Sequence, residues 1–275
     1  MITLTIEQTC IRCGECVSVC PAHILTQEGK QSEIGINNLP TCIECGQCVA
    51  ICPTDSVTHS TFPPETVHKV NESLLPSPDA VMELIRKRRS NRSFSDKEVP
   101  TELLDKILEA AHFAPTGANR QTLQYTLVTN DRVLQEVTAN TIKVIDQQLA
   151  AWKDSGNEEM LNMMSRLSIS YKQGTDLILR GAKALILIHS TANGSADANI
   201  AYQNASLMAE SLKVGHFYTG YVYMFSSMDK EGIIKKALGI EGDIYAGMAL
   251  GMPKYSFKKY IDRKPMVINK FLWNL

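Results

Sequence analysis

Cys10-Ile-Arg-Cys13-Gly-Glu-Cys16-Val-Ser-Val-Cys20-Pro21 returns as Cys42-Ile-Glu-Cys45-Gly-Gln-Cys48-Val-Ala-Ile-Cys52-Pro53, an offset of 32 residues. The two runs hold all 8 cysteines of a 275-residue chain. A duplicated unit is the economical reading, each copy a short strand, a Cys-rich loop and a short helix. Met1 to Cys10 carries neither the basic start nor the apolar core of a secretion signal. The expected compartment is therefore the cytosol, where thiols stay reduced and disulfides are rare. Metal or cluster ligation is the better use for so many thiols.

Each run fits C-x2-C-x2-C-x3-C-P, the bacterial spacing for 4Fe–4S clusters. Three cysteines two residues apart wrap a tight loop round one corner of a cube, each thiolate reaching a different iron. Gly14 and Gly46 fall between ligands, where the backbone must approach inorganic sulfide. Zinc is the alternative, but it takes four ligands, usually as two separated C-x2-C pairs, and fits two complete four-cysteine runs poorly. Residues 1–60 resemble a dicluster ferredoxin. In that pattern the fourth cysteine of each run serves the other cluster. The resemblance thus implies one cluster on Cys10, Cys13, Cys16 and Cys52, and a second on Cys42, Cys45, Cys48 and Cys20. Pro21 and Pro53 then direct the chain away. The segment has no Phe, Tyr or Trp, which makes sense if the two clusters are its core.

Composition narrows the classes. With 44% hydrophobic residues and 28 basic against 29 acidic side chains, disorder and collagen-like structure are excluded. Near-neutral charge argues against bulk nucleic-acid binding, which needs a basic face. The apolar run Ala184 to Ile188 is far too short to span a bilayer. The charge is split, however. Residues 1–60 hold six acids (Glu7, Glu15, Glu28, Glu33, Glu44, Asp55) against Arg12 and Lys30, a net −4, leaving +3 for the rest of a chain whose net charge is −1. Two domains of opposite bias are expected.

Downstream, residues 61–79 read as a linker, with Pro63, Pro64, Pro76 and Pro78 stiffening the path. A helix starts with cap chemistry at Ser77-Pro78-Asp79 and runs into Arg86-Lys87-Arg88-Arg89. A second spans about 101–111 after Pro100. Leu123 to Val128 reads as strand, about 131–152 and 158–173 as helices, and Ala184 to His189 as a central strand. An apolar-rich helix covers Ala196 to Val214, stopped by Gly215. Strands are expected at 217–224 and 244–250 with a helix near 229–238 between them. The expected fold class is α+β: a small ferredoxin-like domain over 1–60, then an α/β domain over 80–275 with a central mixed sheet flanked by helices.

Two polar segments stand out in that second domain. Arg88-Arg89-Ser90-Asn91-Arg92 offers three guanidiniums and a hydroxyl, which suit a phosphate and a polar ring edge. Alone, such a run reads best as a solvated helix C-terminus. About twenty-five residues on comes Ala114-Pro115-Thr116-Gly117-Ala118-Asn119-Arg120-Gln121. In order with these, Ala201-Tyr202-Gln203-Asn204-Ala205, Ala249-Leu250-Gly251-Met252-Pro253 and Asp262-Arg263-Lys264-Pro265 complete a set that resembles the FMN-dependent nitroreductase family over about 80–275.

The resemblance implies residue roles. Arg88, Ser90 and Arg263 would contact the FMN phosphate and ribityl chain, with Arg89 nearby. Arg92 would reach the pyrimidine edge and stabilise the negative charge that develops there on reduction. Asn119 would bond the ring edge, with Gln121 in the same loop. The backbone at Thr219 and Gly220 would approach the flavin. Pro115, Thr116 and Gly117 would come from the partner subunit, since the family's FMN lies at a homodimer interface. Thr122-Leu123 departs from the family's Pro-Trp. The helical region 140–173, with Trp152, Met160, Met163 and Met164, is where members vary a substrate lid, although a Met-rich face is more often core. No dedicated acid or base is required, with solvent or Tyr221 as the candidate proton source.

Joining the halves implies a relay in which single electrons pass through two 4Fe–4S clusters to FMN, which reduces a nitro, quinone or activated-alkene acceptor. The donor would be reduced ferredoxin or NAD(P)H. The rival reading is a redox carrier or sensor serving a protein partner. A further reading diverts the scaffold to flavin fragmentation or dehalogenation.

Overall fold

The computed structural model describes residues 2–153 and 156–269. Its contacts divide into two units: Met1–Leu75 with Thr116–Gln121, and Pro76–Pro115 with Thr122–Leu275.

In the first unit, β1 (Leu4–Ile6), α1 (Glu15–Val19), β2 (Leu25–Thr26), β3 (Gly35–Ile36), α2 (Gln47–Ala50) and β4 (Val57–His59) follow one another. The strands pair antiparallel as β1 with β4 and β2 with β3. The repeat is visible in the backbone. Left-handed φ angles recur at Arg12 (57°) and Glu44 (50°), Gly14 (78°) and Gly46 (71°), and His23 (52°) and Asp55 (52°), each pair at the sequence offset. Non-glycine residues pay of order 1–2 kcal/mol for that region, so the loop shape is imposed by something other than local preference. The core is small: Leu4, Cys16, Ile24, Leu25 and Val57, with Cys20, Cys42, Cys48 and Cys52 packed at its margin.

The second unit holds α3 (Pro78–Lys87), α4 (Thr101–His112), β5 (Gln124–Val128), α5 (Asp131–Trp152), α6 (Glu158–Lys172), β6 (Ala184–Ser190), α7 (Ser195–Ser211), β7 (Gly215–Tyr218), α8 (Gly220–Met228), α9 (Ile233–Ala237) and β8 (Asp243–Gly251). Caps set the starts. Ser77 Oγ accepts the Ala80 N–H ahead of α3, and Asn130 Oδ1 accepts the N–H groups of Arg132 and Val133 ahead of α5. The sheet order is β5-β6-β8-β7. Strand β6 alternates as it should: Ala184, Ile186 and Ile188 face a core shared with α4 and α7, while Leu185 and Leu187 face one shared with α5, α6 and α8. Small residues Ala198, Ala201, Ala205 and Ala209 let α7 lie close against its neighbours.

Three expectations need correction. All three pairings among these four strands are antiparallel, so "mixed" does not describe them. Two helices connect β5 to β6 and two connect β7 to β8, and each such double crossover reverses direction. The single helix α7 leaves β6 and β7 parallel, but β8 inserts between them. Second, α7 ends at Ser211, not Val214. Lys213 takes the left-handed position (φ 60°) while the Val214 N–H reaches back to Ala209 O at 2.8 Å, a Schellman close made without glycine. Gly215 instead opens β7. Third, the strand expected over 217–224 stops at Tyr218, because Thr219 turns the chain into α8.

Candidate functional site

In the first unit the thiols fall into two groups. Cys20 lines one small cavity together with Cys42, Cys45, Cys48 and His59. Burial pushes the Cys48 thiol up to about 11, the Val49 N–H opposes, and Cys45, Cys20 and Cys42 push the same way as burial. Burial likewise raises Cys16, again against a backbone N–H, and its electrostatic neighbours are Cys10, Cys13 and Cys52. The structure therefore brings the eight cysteines together in the crossed pattern read from the repeat. All are free thiols. Buried thiols this reluctant to ionise need compensating positive charge to serve as thiolates, which metal supplies. Among the described residues no three His, Cys, Asp or Glu side chains converge tightly enough for a single metal ion.

Backbone donors aim at these sulfurs: Arg12 N–H to Cys10 Sγ at 3.4 Å, Glu44 N–H to Cys42 Sγ at 3.4 Å and Ser56 N–H to Cys52 Sγ at 3.2 Å. The first two are repeat-related and follow from the left-handed turn at Arg12 and Glu44. His59 escaped the reading of the sequence. The Thr61 N–H donates to its Nδ1 at 3.1 Å, so Nδ1 accepts and Nε2 carries the hydrogen. That Nε2–H faces Cys42 Sγ at 3.6 Å. No spacing rule signals it, since β4 alone carries it there.

Thr116, Gly117, Asn119 and Gln121 cluster with the first unit. The loop is strained, with Ala118, Asn119 and Gln121 all at positive φ (51°, 53°, 48°). Asn119 Nδ2 donates to Glu44 O at 2.7 Å and Ile43 O at 3.3 Å, beside the second cysteine loop. Thr116 Oγ1 accepts the Gln121 N–H at 3.1 Å.

Of the remaining expected residues, the second unit brings Arg92, Thr219 and Gly220 to one cavity, whose lining does not include Arg88, Arg89 or Ser90. A cavity of about 550 Å³ is lined by Arg92, Phe217, Tyr218, Thr219, Gly220 and Tyr221, among others. Arg92 lies over the Phe217 ring at 5.5 Å, and Phe94 stacks on that ring at 6.0 Å. Burial pushes the Tyr202 phenol up to about 12, and the positive charges of Arg88 and Arg92 oppose. Tyr202 meets Tyr218 edge-on at 4.8 Å. Thr219 Oγ1 is buried with no hydrogen-bond partner among the described residues and packs against Gly247 of β8. The Arg92 and Arg180 guanidiniums, the aromatic wall and the cavity size fit a flavin.

Asn91, the residue inside the basic run, was not singled out by sequence. Its N–H bonds His216 O at 2.9 Å, its Nδ2 bonds Tyr255 O at 2.9 Å, and its Oδ1 accepts the Ser93 N–H at 3.1 Å. It anchors the ribbon that displays Arg88, Arg89, Ser90 and Arg92. Pro115 is exposed at the end of the α4 loop, and Arg263 is exposed in the segment after β8; neither lines this cavity. Of the methionine face, Met164 is fully buried core and Met160 packs partly buried against it. Among the described residues no helix is long and apolar enough to cross a membrane.

A duplicated thiol module and an arginine-lined flavin-type cavity on an α+β sheet define a two-part redox protein. Residues 3–53 match the 4Fe-4S dicluster domain. Residues 85–252 match the nitroreductase family, and the chain belongs to that family. The chain is 40% identical over 57 residues to a Methanothermobacter thermautotrophicus protein named as an NADH dehydrogenase/NAD(P)H nitroreductase, covering 21% of this chain and 30% of that protein. It is 30% identical over 124 residues to human iodotyrosine deiodinase 1, covering 42% of this chain and 37% of that one. The chain thus spans about a third of the length of these two relatives. Among solved structures, a Bacteroides fragilis nitroreductase with bound FMN aligns at TM-score 0.54 and 21% identity over 73% of this chain and 100% of its own. A Desulfitobacterium hafniense nitroreductase with bound FMN aligns at TM-score 0.54 and 23% identity over 68% and 97%. These two likenesses establish the fold.

Proposed function

We propose that the chain is an oxidoreductase carrying two 4Fe–4S clusters and FMN, which reduces an electron-poor organic acceptor such as a nitro group, a quinone or an activated alkene. When bound, the clusters handle electrons singly and the flavin delivers them in pairs. The observation that carries the reading is that one polypeptide holds both the doubled, crossed thiol set and the cavity of Arg92, Thr219 and Gly220.

The chain's own groups have defined tasks in this reading. Cys10, Cys13, Cys16 and Cys52 hold one cluster, and Cys42, Cys45, Cys48 and Cys20 the other. Arg88, Ser90 and Arg263 bind the flavin phosphate and ribityl chain, and Arg89 supports them. Arg92 sets positive charge against the pyrimidine edge, favouring the reduced flavin. Thr219 and Gly220 present backbone close to the ring. Tyr221 lines the same cavity. Pro115, Thr116 and Gly117 complete the site from the partner subunit of a homodimer, and Asn119 bonds the ring edge, with Gln121 in the same loop. The donor is reduced ferredoxin or NAD(P)H, and the compartment is the reducing cytosol. The likeness to iodotyrosine deiodinase 1 supports aryl halides as one further acceptor class, which product analysis separates from nitro reduction.

Anaerobic purification with metal, sulfide and flavin counts tests this reading. About eight iron and one FMN per chain are expected from two tetranuclear clusters and one flavin site. Zinc in place of iron, or no flavin, sinks it.

A further inference from the structure

The flavin-type cavity has a neighbour. A second cavity of about 270 Å³ is lined by Arg166, Asn162, Met163, Leu177, Arg180 and Tyr221, among others. Leu177, Arg180 and Tyr221 line both cavities, so the two adjoin across these side chains. No acidic side chain lines either one among the described residues, whereas three arginines do: Arg92, Arg166 and Arg180.

Arg166 and Arg180 are also unspent. The ion pairs among the described residues are Arg12–Glu33, Lys87–Glu210, Lys172–Asp146, Lys183 with Glu98 and Asp131, and Lys235–Asp243. Lys172 on α6 is therefore neutralised while Arg166 on the same helix is not. Arg180 is presented by a built turn. Asp176 Oδ1 accepts the N–H groups of Ile178 (2.8 Å) and Leu179 (2.9 Å), and its Oδ2 accepts that of Gly181 (3.3 Å). The nearest acid in sequence is thus consumed by backbone. Arg180 itself is held at φ 56°, a conformation that local preference disfavours for arginine. Two free guanidiniums facing a pocket walled by Met163, Leu167 and Leu177 make a receptor for an anion on an apolar body.

We propose that this second pocket is an acceptor subsite, and that Arg166 and Arg180 select acceptors carrying a carboxylate or similar oxyanion beside the reducible group. The proposal rests on the flavin reading above and names its substrate class. Tyr221, common to both cavities, stands where the apolar body of such an acceptor would pass from one to the other. The same chemistry has another source, the phosphate of the flavin itself, and the test separates the two.

The holoprotein, Arg180→Gly and Arg166→Ala are compared. Glycine at 180 removes the guanidinium and tolerates the positive φ, so a misfolded product does not explain a loss there. Binding of benzoate is followed by titration calorimetry, and KM is measured for 4-nitrobenzoate against neutral 4-nitrobenzyl alcohol. The wild type should favour the carboxylate, and each variant should lose about tenfold of that preference and of benzoate affinity, the worth of one charge-assisted hydrogen bond. Equal KM values for the two acceptors in the wild type, or variants that keep the preference, overturn the proposal. A fall in FMN content in both variants with benzoate affinity intact also overturns it, by assigning the arginines to the flavin phosphate. If neither acceptor turns over, the functional reading fails, while calorimetry with benzoate still decides the pocket.

Discussion

Asn91→Ala tests how the basic run is held. Asn91 is 9% exposed. The substitution leaves its N–H bond to His216 O but removes two side-chain bonds, to Tyr255 O at 2.9 Å and from the Ser93 N–H at 3.1 Å. Each is worth about 0.5–1.5 kcal/mol net, so the pair costs about 2 kcal/mol. In a domain of this size that lowers Tm by roughly 4–8 °C. The functional consequence exceeds the thermal one. Arg88 and Arg92 flank the lost anchor, so a loosened ribbon must be re-ordered each time flavin binds. FMN affinity should fall at least tenfold, which needs only about 1.4 kcal/mol of that ordering cost. Thermal unfolding and flavin-fluorescence titration of the flavin-stripped protein measure the two effects. A Tm loss with unchanged FMN affinity refutes the claim that Asn91 positions the arginines, and an unchanged Tm refutes the energetics.

Other expected outcomes follow from the same geometry. Cys20→Ala should reduce iron from about eight to about four per chain, and spectroscopy should show that the surviving cluster is the one of Cys10, Cys13, Cys16 and Cys52; equal loss from both sites contradicts crossed ligation. His59→Leu should lower the potential of the cluster bound by Cys42, because a hydrogen bond to sulfur favours the reduced, more negative state; redox titration shows a downward shift or discounts the contact. His216 is fully buried between Ser206 Oγ and Val214 O, and burial lowers its pKa. The unfolded chain then binds the proton first. The contribution is present above about pH 6.5 and is lost as pH falls from there towards the depressed folded value. Denaturant midpoints should drop over that window, and less so in His216→Gln.

Much of the fold was legible because its signals are local. The repeat spacing, the caps at Ser77 and Asn130, the boundaries of α5 and the apolar run of β6 all depend on residues a few positions apart. The places where the reading slipped are those where distant chain intervened. The strand expected over 217–224 keeps its pairing to β8 only as far as the Thr219 N–H bond to Gly247 O at 2.9 Å, where the chain turns into α8. A mixed sheet gave way to antiparallel pairing because β8 slots between β6 and β7. Asn91, His59 and Arg180 carry no motif; they matter through partners or cavities that only the folded chain supplies.

By itself, the sequence determined the ligand chemistry: eight thiols at cluster spacing, a basic run and an ordered set of family motifs, all carried by residue type and short-range spacing. Tertiary structure decided what those residues face. It placed Cys20 with Cys42, Cys45 and Cys48, set Arg92 over the Phe217 ring, and left Arg166 and Arg180 beside the cavity with no ion pair among the described residues. The physical reason is range. Covalent spacing sets which groups can lie within one turn of one another, whereas burial, charge pairing and cavity shape depend on segments that meet only after the chain has folded.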